Sequence, residues 1–276
     1  MADHATEDSI FIYKGGRAPQ HITHARIDPS IKVIDDEAFS NNPHLISIEI
    51  HNGVEYIRLM AFHCCTSLKS VKLLGVREIA MGAFYNCQQL TDVEFGDVLE
   101  CIGDDTFAYC SSLKCLTIPF GQSIGRSVFC HCTRLTELDL PESLERIGPN
   151  ALSNCPSLRR IAMPLNDRLF VGNGGGLLLD CCPNLSTVIL VGGIHRLIAS
   201  CPLQHWKNEM KEDIRRINKI LPRIAEGDKN DAVKQWAEGL CLKVDNYKRE
   251  LPGYRLLREA DDLLQRALFI ESLEQF

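Results

Sequence analysis

AFYNCQQLTDVEF, residues 83–95, is the clearest copy of a phrase that recurs along much of this chain. A large apolar anchor opens each copy, and successive anchors are 22 or 23 residues apart. The anchors are Phe39, Phe62, Phe84, Phe107, Phe129 and Leu152. A fixed period of this length is typical of repeat proteins in which every unit is one short coil stacked on its neighbours.

Each anchor is followed by the pattern L-x-x-I-x-I, in which apolar and polar residues alternate as in a half-buried strand. In the copy at Phe107 these apolar positions are Leu113, Leu116 and Ile118. One coil cannot bury them alone, whereas stacked coils with strands about 4.8 Å apart bury them continuously. The sequence therefore predicts a parallel sheet of about seven strands, with one tight helical turn in each coil.

Composition limits the class of protein. The chain has 276 residues and a formal net charge of −6, which argues against a general nucleic-acid binder. No apolar run approaches the length of a membrane span, and the polar, acidic start has no secretory pattern. We therefore expect an intracellular, cytoplasmic location, with neither nucleic acid nor membrane as partner.

Cysteine is unusually frequent, with thirteen in the chain. Their odd number and the missing secretory pattern argue against disulfides, and three clusters (63–65, 130–132 and 181–182) lack the C-x₂-C spacing of a zinc site. Buried thiols that act as small apolar residues are the favoured interpretation, and no metal or cofactor is predicted. Six occupy one repeat position, three residues after the anchor: Cys65, Cys87, Cys110, Cys132, Cys155 and Cys182.

The unit A-F-x-x-C-x-x-L-x-x-[IV]-x-[IL] resembles the BspA-type leucine-rich repeat over residues 22–197. The resemblance implies an α/β fold: a right-handed leucine-rich-repeat solenoid with short strands and short helical turns. It also implies binding to proteins or surfaces, and it provides no catalytic residues to assign.

Three segments are predicted: an N-terminal lead-in (1–21), a solenoid of about seven coils (22–200) and an all-α C-terminal segment (201–276). Apolar residues at helical spacing predict about three helices in the last segment, which would form a cap and a hairpin. A glycine-rich insertion at 172–176 lacks the Lys-Ser/Thr of a phosphate-binding loop.

Function is predicted to lie in the exposed positions of the strands, where the x residues flanking the second apolar residue point away from the core. These side chains form an acidic streak broken by one lysine, which predicts a protein partner of basic character. The candidate partner-binding residues are Glu49, Lys72, Asp92, Glu94, Thr117, Glu137 and Asp139.

Two alternatives stay open. The C-terminal helical hairpin could make the protein a scaffold or a homo-oligomer, because amphipathic helices bind partner helices. An enzyme is the third class, since His, Asp, Glu and Ser are scattered along the chain, although no local catalytic signature is present.

Overall fold

The computed structural model describes residues 10–165, 179, 181–191 and 204–250. Strands numbered along the chain build two parallel sheets, here named the front sheet and the back sheet. The front sheet holds β1 (Phe11–Tyr13), β2 (His24–Ile27), β4 (Ser47–Glu49), β6 (Ser70–Leu73), β8 (Asp92–Phe95), β10 (Cys115–Thr117), β12 (Glu137–Asp139), β14 (Arg160–Pro164) and β15 (Thr187–Val191). The back sheet holds β3 (Val33–Ile34), β5 (Tyr56–Ile57), β7 (Glu78–Ile79), β9 (Cys101–Ile102), β11 (Ser123–Ile124) and β13 (Arg146–Ile147).

The strand register follows the sequence period, because each residue pairs with the residue one repeat further along the chain. Val71 pairs with Val93 between β6 and β8, and Leu138 pairs with Ile161 between β12 and β14. Hydrogen-bonded ladders join β1–β2–β4, β6–β8 and β10–β12–β14–β15, and the groups lie side by side. The predicted solenoid of about seven stacked coils is therefore confirmed. The sequence pattern predicts one strand in each coil, so the two-residue strands of the back sheet are an addition to it.

A column of aromatic anchors runs through the core between the two sheets. Phe39, Phe62, Phe84, Phe107 and Phe129 are fully buried and stack face to face with ring centroids 5.0, 5.0, 5.3 and 5.9 Å apart. Tyr13 closes the column at 5.0 Å from Phe39. Stacked aromatic pairs add stability beyond the area that they bury, so the anchors tie each coil to its neighbours.

The cysteine column beside it is buried, as predicted. The Cys87 thiol donates to the carbonyl of Phe62 at 3.2 Å, which is the anchor of the preceding coil. The other five column thiols donate at 3.1–3.2 Å to the carbonyls of Phe39, Phe84, Phe107, Phe129 and Leu152. Cysteine thus fills the core and gives the anchor carbonyl a second hydrogen bond, since the carbonyls of Phe62, Phe84, Phe107 and Phe129 already accept the backbone N–H three residues further on.

The turns around the anchors differ from the predicted helical turns. Two residues of each described coil lie in the left-handed region, two before and two after the anchor; in one coil these are Asp105 (φ 55°) and Tyr109 (φ 62°). Left-handed residues interrupt a right-handed helix. Alternate turn amides bond to the next coil, as Phe84 N–H does to Thr106 O at 2.9 Å and Phe107 N–H to Val128 O at 2.9 Å. The amides between them bond within the turn, as Tyr85 N–H does to Gly82 O at 3.1 Å.

Two helices follow the solenoid: α1 (Gln204–Ile220) and α2 (Lys229–Glu250), joined by 3-10 turns at Leu221–Arg223 and Glu226–Asp228. Pro222 lies in the first of these turns, directly after α1, because a proline lacks the amide that would continue the helix. The predicted third helix and the 172–176 insertion lie outside the described residues. The boundaries at 21 and 200 stay predictions, although β1, in the lead-in, joins the front sheet.

Asn42 stands where later coils have cysteine. Its side chain is fully buried, and in the described part of the chain neither Oδ1 nor Nδ2 has a hydrogen-bond partner. An unsatisfied buried polar group costs about 1–3 kcal/mol, so Asn42→Cys should raise the free energy of unfolding by about 1 kcal/mol. Thermal unfolding of Asn42→Cys beside Asn42→Ala measures this. A loss of stability in both variants would show instead that buried water satisfies the amide.

Candidate interaction surface

The predicted partner-binding residues lie together on the outer face of the front sheet, in two adjacent rows. Asp92 and Glu137 belong to one row, and Glu49, Lys72, Glu94, Thr117 and Asp139 to the other. The register places Lys72 beside Glu94 and Thr117 beside Asp139. All seven side chains are exposed except that of Asp139, which is partly buried. The stacking therefore turns scattered sequence positions into one continuous surface, here named the front face.

Ion pairs between neighbouring coils neutralise most of the predicted acidic streak. Arg26 pairs with Glu49, and Lys72 pairs with Glu94 at 2.8 Å. Arg160 contacts both Asp139 at 2.6 Å and Glu137 at 3.4 Å. Three basic groups rather than one therefore interrupt the streak.

These contacts also shift the titration of the paired groups. The hydrogen bond from Arg26 lowers the pKa of Glu49, and the hydrogen bond to Glu94 raises the pKa of Lys72. Solvent screens such exposed pairs, so they contribute little net stability and can be exchanged for contacts with a partner. Asp92 has no ion pair within the described ranges, which makes it the carboxylate most available to an incoming basic group.

A shallow cleft of about 450 Å³ opens in the front face where the ladder between β4 and β6 is interrupted. Its lining includes the apolar residues Ile48, Ile50 and Val71 and the charged residues Glu49 and Lys72. Apolar groups between charged ones are typical of places where an exposed side chain of a partner is held.

A second, partly exposed surface lies on the turn side of the solenoid, here named the aromatic strip. His63 stacks on Tyr85 with centroids 5.1 Å apart, Tyr85 lies 5.3 Å from Tyr109, and Tyr109 stacks on His131 at 4.5 Å. Partial burial raises the pKa of Tyr85. Tyrosine is enriched in protein interfaces, so the strip is a second candidate for contact with a partner.

None of these four residues is among those predicted from sequence. A signal exists nevertheless, because tyrosine or histidine follows the anchor by one or two residues in four successive coils. The left-handed position suits asparagine, which occupies it at Asn41, Asn86 and Asn154. Tyr109 and His131 take the same backbone conformation at a greater cost.

The paired cysteines point differently, as expected from their places in the coil. Cys65, Cys132 and Cys182 are buried, whereas their neighbours Cys64, Cys130 and Cys181 are only partly so. The described residues contain no cluster of three or more His, Cys, Asp or Glu side chains able to hold a metal ion. None of the described helices is long and apolar enough to cross a membrane.

The stacked parallel strands, the aromatic anchors and the inward leucines define this chain as a leucine-rich-repeat solenoid. More narrowly, it belongs to the BspA-type leucine-rich repeat family, whose repeat pattern matches six copies over residues 18–114 and 73–174. Proteins built from such repeats are typically interaction or adhesion modules rather than enzymes.

Solved structures that are similar to this chain include leucine-rich repeat proteins from bacteria. One from Bacteroides ovatus is 26% identical with a TM-score of 0.51, over 62% of this chain and 43% of that one. Another, from T. pallidum, is 33% identical with a TM-score of 0.46, over 50% of this chain and 64% of that one. The chain thus spans less than two thirds of either protein. No curated protein sequence matches it.

Proposed function

We propose that this protein is a non-catalytic interaction module that binds a protein partner through the front face. One observation carries the proposal: exposed polar side chains are held in fixed register over successive strands by a buried core. Because the sheet is already ordered, a partner meets side chains whose backbone loses little entropy on binding. The membership in a family of interaction modules supports the same function.

The partner we favour presents basic groups along an extended contact. Five carboxylates and three basic side chains share the front face, so a net negative charge remains after the internal ion pairs. Asp92 and the two carboxylates that share Arg160 would receive those groups. This net charge is smaller than the sequence alone predicts, because two arginines besides the lysine pair with the carboxylates. We therefore expect binding to depend on salt concentration only moderately. An intracellular location stays a prediction.

Reversing charge on the front face tests the proposal. Glu94→Lys with Glu137→Lys should abolish retention of the partner recovered from the source cell. Each change replaces a carboxylate that would receive a basic group of the partner with an ammonium group that repels it. A matched control is Glu55→Lys with Glu100→Lys, which breaks cross-coil ion pairs beside the back sheet. Glu94 and Glu100 are almost equally exposed, at 54% and 55% of the side chain.

Affinity is measured with the isolated partner by calorimetry for both double variants and the unchanged chain. Loss in the front-face variant alone supports the proposal. Equal affinity in all three proteins overturns it and directs attention to the aromatic strip, where Tyr85→Ala with Tyr109→Ala is the corresponding change.

Self-assembly through the helical hairpin is the second candidate, and one residue favours it. Leu242 on α2 is 66% exposed, the highest value among the large apolar side chains of the described residues. Other apolar side chains of α2 are used within the molecule, since Leu240 and Val244 pack against Met210 and Leu190. The described part of α2 therefore acts first as part of the cap, and Leu242 serves as a control in the experiments below.

A further inference from the structure

The two ends of the front sheet are finished differently. At the C-terminal end the side-chain amide of Asn218 accepts a hydrogen bond from Val188 N–H at 2.8 Å and donates one to Val188 O at 3.1 Å. The amide thus takes the place of a further strand beside β15. At the N-terminal end β1 pairs with β2 on one side, and no described residue pairs with its other edge.

The free edge of β1 is centred on the backbone of Ile12. The carbonyl of Tyr13 points toward β2, because it accepts a hydrogen bond from Asp28 N–H at 3.0 Å. Backbone polar groups of successive strand residues point to opposite edges. The N–H and C=O of Ile12 therefore point away from β2. They leave one hydrogen-bond donor and one acceptor at this edge of the strand.

The side chains at this edge are apolar. Ile10 is 44% exposed and Ile12 is 40% exposed. Because they are two residues apart, they lie on the same face of the strand. A sheet edge with exposed isoleucines that no described residue covers is a template for pairing with another strand.

We propose that this edge pairs with the same edge of a second copy of the chain, to form an antiparallel β1–β1 dimer about a two-fold axis through Ile12. Two residues that face each other in this register exchange both N–H···O=C bonds. The strand is thus complementary to itself, and a two-fold contact uses the same patch on both copies. The four isoleucine side chains of the two copies would form one apolar cluster.

Charge and topology both fit a second copy. With Ile12 opposite Ile12, the exposed Lys14 lies opposite Ile10 of the second copy, so the two ammonium groups do not meet. Stacking head to tail is excluded, because Asn218 already occupies the backbone groups of Val188 at the other end. The pairing therefore closes after two copies and does not build a filament.

Sedimentation of the full chain tests the dimer. The unchanged protein should sediment at twice the 31.0 kDa of one chain. Ile12→Lys should halve that mass, because it places two ammonium groups together on the two-fold axis. Ile12→Glu alone should do the same, whereas an equal mixture of the two variants should recover the dimer through opposite charges.

The recovery in the mixture separates lost pairing from lost folding, since a misfolded variant would not be rescued. Leu242→Lys is the matched control, an exposed apolar residue on α2, and should leave the dimer intact. A chain that sediments as a monomer at every concentration overturns the proposal. So does a dimer that survives Ile12→Lys, and its loss in Leu242→Lys would place the contact at the helical hairpin.

Discussion

The free energy of unfolding is expected to fall steeply above about pH 8.5, because unfolding exposes thiols that then ionise, whereas the folded state keeps them protonated. Burial raises the pKa of Cys65 to about 12 and the pKa of Cys87 and Cys132 well above the ordinary value. The pKa of Cys155 is raised well above it first by the hydrogen bond with Cys182 and then by burial.

The sign follows from proton binding in the two states. Above about pH 8.5 these thiols ionise in the unfolded chain and stay protonated in the folded one, so unfolding releases protons. Their contribution is fully present below that pH and is lost as the pH rises toward the folded pKa. Each thiol lowers the free energy of unfolding by about 1.4 kcal/mol per pH unit. Burial also raises the pKa of Tyr13 to about 12, which acts in the same direction at higher pH.

Denaturant titrations followed by circular dichroism at a series of pH values, with reductant present, measure this slope. Cys87→Ala removes one buried thiol, so the free energy of unfolding should fall less steeply with pH by the contribution of that one thiol. The cavity that the change leaves lowers stability at every pH and does not alter this slope. Cys115→Ala is the matched control, because Cys115 is exposed, and should leave the slope unchanged. An identical slope in Cys87→Ala and the unchanged chain would contradict the role of the column.

Much of the coil could be predicted from the sequence, because equivalent positions of successive repeats make the same contacts in every coil. The anchors, the inward leucines and the buried cysteines are such contacts, since residues one period apart lie on one another. The left-handed turns carry a weaker signal, as asparagine marks only three of the positions after the anchor.

The ion pairs of the front face follow the same rule, although the charge pattern alone did not reveal them. Arg26 and Glu49 are 23 residues apart, Lys72 and Glu94 are 22 apart, and Glu137 and Arg160 are 23 apart. These separations equal the repeat step. A charge should therefore be compared with the residue one period away before a surface is described as acidic.

The cap could not be predicted in the same way, because it breaks the period. Asn218 reaches Val188 over 30 residues, and Lys229 reaches Leu185 over 44. Helical spacing predicted that both helices exist. It did not show which residues dock: Lys229, Asn230 and Val233, at the start of α2, are buried against the last coil together with residues of α1.

Removing the polar anchors of the cap is expected to separate the helices from the solenoid. Lys229 is only 2% exposed, and its ammonium group donates to Leu185 O at 2.8 Å and to Pro183 O. Lys229→Met with Asn218→Leu would leave carbonyls and an amide of the last coil buried without these partners. The expected loss is about 1–3 kcal/mol for each such group.

Fluorescence distinguishes the two parts, because both tryptophans of the chain, Trp206 and Trp236, belong to α1 and α2. In the unchanged protein the tryptophan signal and the circular dichroism should change together on heating, as one cooperative unit. In the double variant the tryptophan transition should move to lower temperature and precede the loss of sheet signal.

Lys219→Met provides the control, since Lys219 is an exposed lysine of α1 next to Asn218. It should leave both transitions where they are. Coincident transitions in the double variant would mean that apolar contacts such as Ile217, Leu221 and Val233 hold the cap without help from its hydrogen bonds. Separate transitions would show that the side chains of Asn218 and Lys229 hold the helices on the solenoid. These side chains bind backbone groups at the last strand of the front sheet, so the helices would close that end of the sheet by hydrogen bonds as well as by apolar contact.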